Sequence, residues 1–309
     1  MVAFRVSASG FVGLVGLLGL SFSLCGVVAR GSGTARSSYE DPQPMPADPA
    51  ASAPAPGPGG NFNPMTPAPP AVNPADINEV YGLSSDTLFV LDPITKVVTE
   101  VGKFNGCEAV VDIALDESSN LFATSNTSLY TVDKKTAVCT EISTGTYPNS
   151  LSFVPKGTVD PNVEALVGYE GDQYVRIDTK TGAKTNIGSL GGGLQSSGDI
   201  VSVKGGKTYL TVKSTSGKTC STNDCLVEVD PTSGAMVKNW GSIEHHNVFG
   251  LSFWGGKVYG FDDGGDLFEV TFGTTQLATN AIAMPSKPAG LSFWGAGSST
   301  SAPLVPTTK

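Results

Sequence analysis

From residue 79 onward the chain runs in short stretches of alternating apolar and polar positions, each ended by Gly, Pro, Asn, Asp or Ser. A period of two is the signature of a half-buried strand, and no stretch sustains the 3.6-residue period of an amphipathic helix. One strand-and-turn phrase recurs five times, starting at Leu88 (LFVLDPITK), Leu129 (LYTVDKKTA), Tyr174 (YVRIDTKTG), Leu226 (LVEVDPTSG) and Leu267 (LFEVTFGTT). Its spacings of 41, 45, 52 and 41 residues match a repeated four-stranded sheet. Innermost strands are predicted at 111–115 (VDIAL), 150–154 (SLSFV), 199–203 (DIVSV), 250–254 (GLSFW) and 290–294 (GLSFW again). Second strands are predicted at 79–83, 121–125, 164–169, 208–212 and 257–261. The region opens on a second strand and ends on a spare first strand. The pattern therefore predicts an all-β, five-bladed β-propeller over residues 77–297, closed by the C-terminal strand completing the first blade.

The turns carry their own chemistry. Asp92, Asp133, Asp178 and Asp230 each end a strand, where a carboxylate can accept backbone N–H groups of the turn that follows. Pro93 and Pro231 fit the next position, and Gly182 and Gly234 supply a positive φ further on. In its fullest form, YVRIDTKTGAKTNIG at 174–188, this repeat resembles that of exported bacterial propellers, a broad superfamily that includes NHL-like, PQQ-like and surface-layer repeat families. The resemblance spans about residues 79–294 and implies the fold alone. No PQQ-contacting, WD-dipeptide or Asp-box signature is present, so it transfers no site residue and implies no cofactor.

Ahead of the repeats the composition changes twice. Residues 1–29 are apolar with a single charge, Arg5, and read as an export signal. Three fates are open: cleavage after Ala29, lipidation of Cys25, or retention as an uncleaved anchor. Residues 30–76, rich in Pro, Ala and Gly, are expected to be a disordered tether, and 298–309 a disordered tail. An exported protein is expected, secreted or lipid-anchored to the cell envelope, attached to a membrane only through its N-terminus and acting as a monomer. A net charge of −9 with no basic stripe argues against nucleic acid as a partner. Apart from Cys25, the cysteines are even in number, and they suggest disulfides Cys220–Cys225, across a short surface loop, and Cys107–Cys139. Four cysteines allow three connectivities. No metal site is expected: Cys spacing and the adjacent pair His245 and His246 fit none, and the acidic run 262–266 lacks the pattern of a calcium loop.

Propellers commonly bind at the mouth of the central channel, on loops feeding the innermost strands. Those loops hold Glu108, Asn149, Asp199, His245, His246 and Asn247, the ligand-binding candidates. Asp112 and Asp199 lie near innermost strands and can face each other across the channel. No Ser-His-Asp arrangement and no phosphate loop is recognisable, and no catalytic residue is assigned. Three readings follow. The first is a non-catalytic binding or scaffolding propeller at a bacterial cell surface, with an unknown protein or carbohydrate ligand. The second is a lectin-like propeller, stacking sugars on Tyr81, Trp254, Tyr259 and Trp294. The third is a hydrolase of glycosidase or lactonase type using Asp112, Asp199 and His246.

Overall fold

The structure, a computed structural model, describes residues 79–217, 219–285 and 287–307. The expected leader, Cys25 and the expected tether lie outside the described residues. Among the described residues every regular element is a strand. β1 (Val80–Leu83), β2 (Thr87–Asp92) and β3 (Val97–Lys103) open the first blade. β4 (Val110–Leu115), β5 (Leu121–Ser125), β6 (Ser128–Val132) and β7 (Cys139–Thr144) form the second. β8 (Leu151–Val154), β9 (Ala165–Glu170), β10 (Gln173–Ile177) and β11 (Lys184–Ser189) form the third. β12 (Leu194–Ser202), β13 (Thr208–Ser214), β14 (Cys225–Val229) and β15 (Met236–Ser242) form the fourth. β16 (Val248–Trp254), β17 (Lys257–Asp262), β18 (Leu267–Phe272) and β19 (Leu277–Ala281) form the fifth, and β20 (Gly295–Ser298) returns to pair with β1. The result is five antiparallel four-stranded sheets, the first ordered β20-β1-β2-β3. The innermost strands β20, β4, β8, β12 and β16 meet in a ring, as the five-bladed propeller predicted from the repeat requires.

Packing follows the alternation. Inner and second strands are buried on both faces, as in β4 and β8, whereas outer strands such as β3 and β7 are mostly exposed. Aromatic rings fill the space between the first and fifth blades: Gly82 lies under Phe261, and Phe293 meets Phe89 and Phe261 edge-on, at 6.2 and 5.1 Å between ring centres. The turn aspartates cap as expected, Asp133 accepting from Lys135 N at 2.8 Å and Asp178 from Thr181 N at 2.8 Å. Both disulfides are present, Cys107–Cys139 and Cys220–Cys225, with Cα–Cα distances of 5.6 and 5.3 Å. The first ties the crossing into the second blade to that blade's outermost strand. The second pins the β13–β14 loop.

Two expectations are corrected at the C-terminus. The closing strand is GAGS at Gly295–Ser298, five residues beyond the predicted 290–294. The second GLSFW forms no strand; its Phe293 goes into the core and Trp294 is left 38 % exposed. The reason is steric. A Cβ on Gly295 would stand 2.4 Å from Asp112 Oδ1, and one on Gly297 2.8 Å from Ile113 O, so this edge of the ring admits only a strand of very small residues. The expected tail is likewise part of the fold up to residue 307. Ser299, Thr300 and Ala302 are buried. Ser299 forms a parallel bridge to Leu115 and its hydroxyl donates to Asp116 O at 2.7 Å. Lys204 N donates to Thr300 O at 2.8 Å, and Gly255 N to Pro303 O at 2.7 Å. This strap leaves the first blade and touches the second, third, fourth and fifth. It lies over the end of the ring that carries the hairpins between first and second strands.

Candidate functional site

At the channel axis one register position decides what is there. Ile113, Leu151, Ile200, Leu251 and Ala296 are equivalent, facing Ala123, Gly168, Leu210, Gly260 and Gly82 in the second strands. Each turns its backbone N–H inward. Asp112 Oδ1 accepts from Ile113 N at 2.8 Å and Ala296 N at 3.3 Å, and its Oδ2 from Leu151 N at 2.7 Å. Asp199 Oδ1 accepts from Ile200 N and its Oδ2 from Leu251 N, both at 2.6 Å. Two carboxyls thus gather one N–H from every blade. Burial pushes both well above the usual carboxylate range, and the neighbouring charge of Asp199 raises Asp112 further. The two carboxyls act on each other at the axis, and two buried carboxylates side by side cannot both be ionised, so the pair holds a proton. Neither Asp112 nor Asp199 has any solvent exposure.

The predicted mouth residues separate into groups. His245 Nδ1 sits 2.7 Å from Asp262 Oδ2, and its ring stacks on Phe268 with centres 3.8 Å apart. His246 Nε2 lies 3.8 Å from Asp263 Oδ1. Asn247 bridges Lys213 Nζ, which donates to its Oδ1 at 2.7 Å, and Asp263, whose Oδ2 takes its Nδ2 at 2.8 Å. Beneath them Asp224 is fully buried, accepts from Val248 N at 2.7 Å and faces Lys213 at 3.8 Å; burial raises its carboxyl above the ordinary range. The acidic run 262–266 is therefore tied to the His245–Asn247 crossing, and Lys287 takes Asp266. Among the described residues no group of three or more His, Cys, Asp or Glu side chains is placed to hold a metal. Glu108 and Asn149 are exposed and join no such network, and Asp199 lies below at the axis.

The aromatic residues proposed for sugar stacking fare differently. Tyr81, Trp254 and Tyr259 are buried between blades, and only Trp294 is exposed. Two concavities lie between blades. A mostly apolar groove of about 710 Å³ runs between the first and fifth blades, lined by Phe89, Val97, Val98, Ile282, Met284 and Leu291. Glu269 at its edge pairs with both Lys96 and Lys257. A second cleft of about 480 Å³ lies between the second and third blades, with Phe122 and Phe153 in its lining and charged side chains around them. Glu164 lies there, its carboxylate accepting Glu117 N at 2.6 Å and the Thr300 hydroxyl of the strap. Burial pushes its carboxyl up to about 7 against the pull of those two donors. No sequence signal marked this cleft, because its walls come from two blades and the strap.

No protein-family model matches the chain, and no curated protein matches it. Solved structures do resemble it. Hydrazine synthase of Kuenenia stuttgartiensis is 16 % identical with a TM-score of 0.37, covering 69 % of this chain and 68 % of that one. A chain of the nidogen/laminin complex is 11 % identical at a TM-score of 0.42, covering 71 % and 97 %. A protein of unknown function from Bacteroides caccae is 12 % identical at 0.36, covering 70 % and 77 %. At these scores the likenesses carry no functional argument.

Proposed function

We propose that this chain is a non-catalytic binding propeller, presented from a cell surface by its N-terminal segment. The observation that carries the reading is the axis. The two carboxyls on which a hydrolytic channel would depend are sealed from solvent and saturated by backbone N–H donors. A catalytic acid or base must reach a substrate proton, and neither group is placed to do so. With the strap over one end of the ring, the grooves between blades offer a ligand recessed surface. The disulfides fit an oxidising compartment, in keeping with export.

The test is an assay of the full chain against aryl glycosides and lactones, beside a thermal-shift screen of glycans and peptides. The expected result is no turnover and at least one ligand-dependent rise in Tm; a ligand at 100 times its Kd adds about 2.7 kcal/mol. Turnover that disappears in Asp199→Asn while the fold is retained overturns the reading. The double alanine variant Asp112→Ala/Asp199→Ala is unsuitable as a control. It strands five buried N–H groups at about 1–3 kcal/mol each and unfolds the ring.

A further inference from the structure

The connection between first and second strands is short in most blades: residues 116–120 in the second, 203–207 in the fourth, 255–256 in the fifth. In the third it runs from 155 to 164, twice as long as the longest of these. The extra length is held rigid. Gly157 N donates to Asp160 O at 2.7 Å, Thr158 Oγ1 to Pro155 O at 2.6 Å, and Asp160 takes Asn162 N at 2.9 Å and Arg176 Nη2 at 2.8 Å. The insertion, the turn at Asp178–Lys180 and residues 116–118 of the second blade together line the 480 Å³ cleft. Phe122, half-buried, and Phe153 meet at 5.2 Å and 61° in its lining.

Eight described lysines, Lys96, Lys103, Lys134, Lys184, Lys207, Lys213, Lys257 and Lys287, are in ion pairs, whereas Lys135, Lys204 and Lys238 are not, and neither are the two lysines of this cleft. Lys156 and Lys180, with Glu117 and Asn162, make no side-chain hydrogen bond or ion pair to another described residue, although all four line one cavity. Donors and acceptors thus stand free together around an aromatic ring. Asp116, Glu117 and Glu164 on the same walls disfavour a polyanion, and the charged rim disfavours a purely apolar ligand. A molecule with an apolar face and hydroxyls that both donate and accept matches the set. We propose that the cleft between the second and third blades binds a neutral glycan, a pyranose ring lying on Phe122 with its hydroxyls held by Glu117, Asn162 and Lys180. This rests on the binding-module reading and gives that module its site.

The test is calorimetric titration of the full chain with glucose, galactose, N-acetylglucosamine and their β-linked disaccharides, beside inorganic phosphate and the tripeptide Lys-Gly-Glu. It is repeated on Glu117→Gln/Asn162→Ala/Lys180→Ala, whose three side chains are exposed and make no hydrogen bond or ion pair to another described residue, so the unliganded Tm should change little. The expected result is saturable binding of a neutral sugar that weakens at least tenfold in the variant. Sugar binding indifferent to the variant overturns the site and leaves the binding-module reading standing. Phosphate or peptide binding that the variant abolishes, with no sugar bound, overturns the ligand class. No saturable sugar binding at all overturns the proposal. Failure of the broader reading would show separately, as turnover. Asn162→Ala alone serves if the triple variant does not fold.

Discussion

Asp112 and Asp199 occupy a position that the other three blades give to Ser150, Gly250 and Gly295, and the difference is forced by space. Ser150 turns its hydroxyl away to the second strand, accepting Tyr169 N at 2.8 Å. A Cβ on Gly250 would lie 2.6 Å from that of Ala296, and one on Gly295 would meet Asp112 Oδ1, Asp112 Cα and Val111 O within 2.8 Å. Two carboxyls fill the axis, and the two glycines make room for them. Gly295→Ala should therefore behave as overpacking, destabilising by about 1–3 kcal/mol or more, because the atoms it meets include backbone that cannot rotate aside. Urea denaturation of the variant measures this, and an unchanged midpoint would show that β20 shifts freely. The sequence places both aspartates near innermost strands and allows that they face each other. That they do so 87 positions apart in the chain, saturated by amides from five blades, is a tertiary fact that no local pattern carries.

The strands themselves were legible because burial of both faces or one face writes itself into the alternation, and the turns because Asp, Pro and Gly have distinct backbone consequences. What misled was repetition. GLSFW occurs twice, and the pattern treats both copies as strands. In the fifth blade Gly250 meets the axis, whereas at the junction with the first blade only GAGS is small enough. The strap was illegible for a related reason: Ser, Thr, Ala and Pro compose both tails and tight backbone-to-backbone packing, and it is ordered by hydrogen bonds to distant blades. Ending the chain at Ser298 removes the Lys204–Thr300, Gly255–Pro303 and Ser299–Asp116 bonds. At about 1 kcal/mol each the loss is about 3 kcal/mol, read as a fall in Tm. An unaltered Tm would mean the strap rests on the ring without supporting it. The disulfides differ in the same way between local and non-local constraint. With sequence separations of 32 and 5, the chain-entropy relation gives about 3.7 kcal/mol for Cys107–Cys139 and about 2 for Cys220–Cys225. Replacing each pair by serine should rank them in that order, and the reverse order would place their effect in the native state.

At the scale of the whole molecule, two sets of carboxyls moved from their ordinary range have opposite consequences for pH. Those in turns, Asp133, Asp160 and Asp178, are held below the ordinary range by the backbone N–H groups they accept. Their stabilisation is present above the unfolded value and lost as pH falls through the folded one. They are solvent-exposed, so each counts for little. Asp112, Asp199 and Glu164 are raised by burial. The folded protein then binds more protons than the unfolded chain above about pH 4, and stability declines as pH rises toward the folded values. The buried groups dominate, so the urea midpoint should be greatest in the mildly acidic range and fall from pH 5 to pH 8, against the common maximum between 5 and 8. Glu164, pushed up to about 7, sits under the strap at Thr300, so its share of the decline is complete only above neutrality. Glu164→Gln should flatten the upper part of the curve. Asp112→Asn should remove the axial share of the decline and leave that of Glu164, whatever its absolute stability, because one member of the axial pair can no longer ionise. A midpoint that stays level or rises between pH 5 and 8 in the parent chain would mean that the axial pair holds no proton in the folded state, and the electrostatic account of the axis would fail with it.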